Sequence, residues 1–142
     1  MLVVGGTYRE VCRFPQIDEL YGSGLRGICA VSEISDSRNR FVTLTSQNES
    51  TIESYADTHN FDYELLKTRH TPEFDYLHNH AEPVIRRDVV ENEKQEIGPF
   101  KGDAVLRFGM VEASAIVKGD RVVYDPQSPH FQPFEENGSE AN

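Results

Sequence analysis

The order of hydrophobic periods along the first 80 residues constrains this chain more than any single motif. Leu2 to Val4 run into Gly5 and Gly6, which reads as a buried strand ending in a flexible turn. From Ser23 the spacing becomes helical: Leu25, Ile28, Cys29, Val31 and Ile34 share a face, and Ser23 stands where a cap belongs. Residues 40–46, "RFVTLTS", alternate Phe41, Thr43 and Thr45 with Val42 and Leu44, as a strand does. "NESTIESYADTHN" follows, with Asn48 as N-cap and Ile52, Tyr55 and Ala56 on one helical face. A strand–helix–strand–helix opening predicts an α/β fold with a mostly parallel sheet and helices on both faces.

The middle of the chain departs from that alternation. Residues 13–22, broken by Pro15, read as a loop or short extended piece. Residues 61–68 and 72–79 are consecutive alternating runs and predict a small antiparallel lid spanning about 61–80. "DVVENEKQE" (88–96) carries four acids against one lysine and reads as an exposed turn or helix. "AVLRFGM" (104–110) is apolar enough for a central strand. Residues 113–125 predict a hairpin around Gly119-Asp120, and 133–142 a polar tail.

Composition excludes several classes. The 142 residues suit one domain, and 37% apolar content fits a folded chain. No apolar run approaches the roughly 18 residues of a membrane span, and the N-terminus lacks the basic and apolar regions of a signal peptide. Cys12 and Cys29 make no disulfide framework, which fits a reducing cytoplasm. A net charge of −10 argues against a nucleic-acid partner. "GGTYRE" lacks the third glycine of a dinucleotide fingerprint, and no Gly-Lys-Ser/Thr follows "GSG" as a P-loop requires.

Four stretches together resemble the N-terminal half of the PfkB, or ribokinase-like, family of carbohydrate and nucleoside kinases. They are "LVVGGTYRE", "GSGLRGICAV", the run "FDYELLKTRHTPEFDYLHNH" and "RVVYDPQSP". The resemblance implies a Rossmann-like sheet with a β-lid, an incomplete ribokinase-like domain. It places Glu10 where the family has an aspartate that holds substrate hydroxyls. Glu10 is one methylene longer, which leaves the sugar specificity open; without the resemblance it reads as a solvated residue after a turn. Gly22 and Gly24 would let the backbone approach the acceptor, although Ser23 separates them and Gly27 stands near the family's asparagine position. Tyr76 and His78 of the lid would cover the ligand, with core or sheet-edge packing as the plainer reading. Asp125 and Gln127 would lie near the phosphates and Mg²⁺, or else form a turn with no ligand. His78 and His80 lack a third ligand at matching spacing, so no metal is expected there. "NGSE" (137–140) matches a magnesium motif by chance, because no buried strand precedes it.

The family's Gly-Ala-Gly-Asp base motif occurs nowhere in these residues. Phosphoryl transfer needs a positioned base and charge neutralisation as well as a bound acceptor. The resemblance therefore implies the acceptor-binding half of an ATP- and Mg²⁺-dependent kinase for a sugar or nucleoside, inactive as 142 residues. The alternative is a non-enzymatic small-ligand or dimerising module that kept the half-fold, with a homodimer closed through the lid.

Overall fold

The structure is a computed structural model that describes residues 1–46, 49–85 and 95–127. Its centre is a five-stranded parallel sheet of β1 (Leu2–Val4), β4 (Asn39–Thr45), β5 (Phe61–Lys67), β9 (Ala104–Phe108) and β11 (Arg121–Asp125), in the order β11-β9-β1-β4-β5. Helices α1 (Gly22–Glu33) and α2 (Glu49–His59) supply the crossovers from β1 to β4 and from β4 to β5. The α/β class and the mostly parallel sheet are as the sequence predicts.

Alternation sorts the sheet into two apolar faces. Val3, Phe41 and Phe61 pack with Leu25, Ile28 and Cys29 of α1 and Ala56 of α2. Leu2, Val4, Val42 and Leu44 face the other way. That second face is covered, among the described residues, by strands where a helical layer was expected. Strands β8 (Gln95–Lys101) and β10 (Ala113–Lys118) pair in parallel and bury Ile97, Phe100, Ala113, Ala115 and Val117 against the sheet. The small Ala113 and Ala115 side chains suit a ribbon laid flat on β-branched neighbours.

The expected hairpin at 113–125 does not form. β11 pairs with β9 instead, Arg121 opposite Ala104 through Asp125 opposite Phe108. The apolar side of β10 is worth more against the sheet than across from β11. Gly119 meets the turn before β9, where an added Cβ would stand 2.3 Å from the Gly102 carbonyl oxygen. The segment at 88–96 lies outside the described residues except for Gln95 and Glu96, which open β8.

The lid is also built differently from the expected pair. β5 joins the main sheet beside β4, so it is no lid strand. A separate four-stranded sheet contains β3 (Ile17–Leu20), β2 (Arg9–Phe14), β6 (Glu73–His78) and β7 (Val84–Ile85), in that order. The segment around Pro15, expected as a loop or short extended piece, is the turn of the β2–β3 hairpin with β3 as its extended part. One side of this sheet is a polar ladder: Arg9 bonds Asp18 at 2.7 Å and Glu73 at 3.1 Å, and Arg13 reaches Asp75 at 3.4 Å. Glu10, Cys12, Phe74 and Tyr76 alternate to the opposite side.

Candidate functional site

All five strands of the main sheet point the same way, so their carboxyl ends share one edge. The chain leaves β1 toward β4 and leaves β9 toward β11, although β1 and β9 are neighbours. Such a divergence opens a crevice between the two loops, where α/β sheets bind ligands. Buried polar side chains lie near this edge on both faces of the sheet, Thr43 on the face of Phe41 and Arg107 on the face of Val4. Thr7 and Thr43, both fully buried, share a hydroxyl hydrogen bond of 2.9 Å. Arg107, 2% exposed, lies on β9 with its guanidinium 4.5 Å from the centre of the Tyr124 ring. Glu112, 5% exposed, follows β9, and the Tyr8 phenol lies beside it. Burial first, and then the Glu112 charge, hold the Tyr8 pKa well above its ordinary value. Burying groups of this kind is costly unless they are satisfied, so their gathering at one edge is the strongest chemical signal in the fold.

Glu10 lies on β2, beyond the end of β1. Its Oε1 accepts the Gly22 backbone N–H at 3.0 Å, and both oxygens accept from Arg26, at 2.9 and 2.5 Å. The carboxylate thus caps the start of α1, a favourable place for negative charge. Ser23 does not cap it: the N-cap residue is Tyr21, with no side-chain bond. Tyr76 is half-buried on the same side as Glu10, and burial followed by the Glu10 charge raises its pKa. Arg26 also stacks over Tyr21 at 4.5 Å.

Gly22 adopts φ 82°, a left-handed conformation that suits glycine at the entry to α1. Gly24 presses on the end of β1, where an added Cβ would meet the Gly5 carbonyl carbon at 2.5 Å. Its N–H donates to the Gly6 carbonyl at 3.1 Å. The two glycines therefore join helix to strand, next to the crevice. His78 ends β6 and is exposed; its Nδ1 accepts the His80 backbone N–H at 3.2 Å.

Asp125 and Gln127 form a turn at the end of β11, an edge strand among the described residues. The Gln127 N–H donates to Asp125 Oδ1 at 3.0 Å. No group of three or more His, Cys, Asp or Glu residues able to hold a metal occurs among the described residues. Asn48 and residues 137–140 lie outside the described residues. No described helix is long and apolar enough to cross a membrane.

Sequence reasoning missed Thr7, Tyr8, Thr43, Arg107 and Glu112. One signal was present: Arg107 interrupts the apolar run "AVLRFGM", where a charge is out of place unless it has work at a strand end.

No protein-family model matches this chain, and no curated protein matches it. Solved structures do. A pyrophosphate-dependent kinase in the ribokinase family, complexed with a pyrophosphate analog and myo-inositol, matches at 10% identity and a TM-score of 0.48 over 82% of this chain and 48% of that one. A sulfate complex of a pyrophosphate-dependent kinase in the ribokinase family matches at 12% identity and a TM-score of 0.49, over 82% and 49%. A pyrophosphate-dependent myo-inositol-1 kinase converted into a myo-inositol-3 kinase matches at 15% identity and 0.44, over 76% and 47%. The chain spans about half the length of these structures. Identities this low carry nothing about activity.

Proposed function

We propose that this chain forms the acceptor-binding portion of a ribokinase-like kinase that phosphorylates a small hydroxylated molecule, a sugar or nucleoside. The observation that supports this reading is the set of buried polar side chains near the carboxyl ends of β1 and β9: Tyr8, Arg107 and Glu112. A hydroxyl, a carboxylate and a guanidinium together match the mixed donors and acceptors of a polyol better than they match an apolar ligand. The inner side of the β2–β6 sheet, through Phe74, packs against Tyr8 of this group with ring centres 4.9 Å apart. ATP and Mg²⁺ would be held by chain beyond these residues, together with the base that deprotonates the acceptor.

Titration calorimetry of residues 1–142 against D-ribose, D-fructose, myo-inositol and adenosine, with Mg·ATP for comparison, tests this. One hydroxylated compound should bind, Mg·ATP should not, and no ADP should appear when both are supplied. Nucleotide binding without any acceptor binding would overturn the reading, as would phosphoryl transfer by these residues alone.

A further inference from the structure

We infer that β11, at the edge of the main sheet, pairs with β11 of a second copy of this chain, antiparallel and centred on Val123. The inference stands apart from the acceptor-binding reading above. Among the described residues β11 has a strand on one side only, β9. The Arg121 N–H donates to the Asp103 carbonyl at 3.1 Å, and the Asp125 carbonyl accepts the Gly109 N–H at 2.8 Å. The main chain of these alternate residues therefore faces β9, and that of Val122 faces the edge. An edge of this kind is a template for another strand.

Side chains decide which strand it accepts. Val122 packs on the core that holds Val4 and Val117, so alternation puts Arg121, Val123 and Asp125 on the other side of β11. Val123 is the one large apolar side chain of the five main strands left exposed among the described residues, at 62%. Arg121 and Asp125 are exposed two residues to either side of it, with opposite charges; Asp125 Oδ1 also accepts the Gln127 N–H at 3.0 Å. Such a strand is complementary to itself. A two-fold axis through Val123 sets valine against valine and each Arg121 opposite the other copy's Asp125, so two charge pairs form at once. These are the non-hydrogen-bonded positions of an antiparallel ladder, where opposed side chains come closest. Sliding the register by two residues breaks both pairs, and in one direction it brings Pro126, which has no N–H, into the ladder. End charges of one sign would instead repel a second copy, as guarded edges do.

Sedimentation equilibrium of residues 1–142 from about 1 µM to 1 mM tests this. The net charge of −10 repels the copies at long range, so the salt is held near 0.15 M, where screening acts beyond about 8 Å. The mass should rise with concentration toward that of a dimer. Arg121→Glu and Asp125→Arg, each alone, oppose like charges twice per dimer and should weaken association about 5- to 100-fold. The two together restore opposite signs and should return it to within about threefold of the unaltered chain. Val123→Lys sets two ammonium groups against each other on the axis and should leave a monomer. A chain that stays monomeric throughout overturns the inference, gives the edge to chain outside the described residues, and leaves the acceptor-binding reading standing. A dimer that either single exchange leaves intact also overturns it, as does a combined variant no tighter than the single ones. Thermal melting checks that each variant folds; should a single exchange fail to, Val123→Lys decides, and a dimer that persists in it overturns the inference.

Discussion

Replacing Gly24 by alanine tests the joint that brings helix and strand to the crevice. The added methyl would sit 2.5 Å from the Gly5 carbonyl carbon, 2.7 Å from its oxygen and 2.8 Å from its Cα. Ordinary contact begins near 3.4 Å, so the start of α1 must move by about 0.9 Å. All three atoms are backbone, held by the Gly5 N–H bond to the Val42 carbonyl at 3.1 Å, so they yield little. Overpacking of this kind costs about 1–3 kcal/mol. Alanine returns up to about 1 kcal/mol through helix propensity. The clash wins, and the net loss is about 1–2 kcal/mol, or roughly 0.5–1 M in the urea midpoint. Gly27→Ala is the comparison. Its methyl would meet the far edge of the Phe108 ring at 2.5 Å, and a ring can tilt where a backbone cannot. Urea unfolding followed by circular dichroism should show Gly24→Ala as clearly the weaker of the two. An unchanged midpoint in Gly24→Ala, or a larger loss in Gly27→Ala, would refute the reasoning.

Two further outcomes follow from buried groups. Thr7→Val or Thr43→Val alone leaves one hydroxyl of a fully buried pair unmet and should cost about 1–3 kcal/mol, while the double variant should cost less than the sum; additive losses in a denaturation cycle would show that the pair is not coupled. Burial, and then the Glu33 charge, push the Cys29 thiol up to about 11, so native protein at pH 8 should resist iodoacetamide at Cys29 until urea unfolds it, and rapid alkylation mapped to Cys29 by mass spectrometry would contradict its buried place.

The main sheet was legible because its strands and helices carry different periods. Leu25, Ile28 and Cys29 could share a face only as a helix, and Phe41 with Val42 could be buried on opposite sides only in a strand covered twice. Pairing was less legible, since it depends on which faces meet. Gly119-Asp120 looks like a hairpin turn, yet β10 gains more by laying Ala113, Ala115 and Val117 on the sheet, and the backbone there bonds the neighbouring turn, Arg121 N–H to the Asp103 carbonyl at 3.1 Å. Likewise β5 looks like the start of a lid because Asp62 and Glu64 alternate with apolar residues. Those acids instead pair with Arg38 and Arg40 around the neighbouring strand β4.

The candidate site was the least legible part, and Glu10 shows why. In the sequence it is an acid beyond a strand and a double glycine, and Gly22 and Gly24 are a separate glycine turn. Folding makes them one joint: the carboxylate takes the first amide of α1 and the Arg26 guanidinium, while Gly24 seats the same helix turn on Gly5. Arg26 is 16 residues from Glu10, and no local spacing announces such a pairing. The buried polar groups near the carboxyl edge come from four places, the β1 loop, β4, β9 and the turn after it. Thr7, Thr43 and Glu112 are unremarked polar residues until the parallel register carries them inside. What makes them chemical is burial, a property of the sheet's divergence between β1 and β9, and a linear pattern of residue types does not contain it.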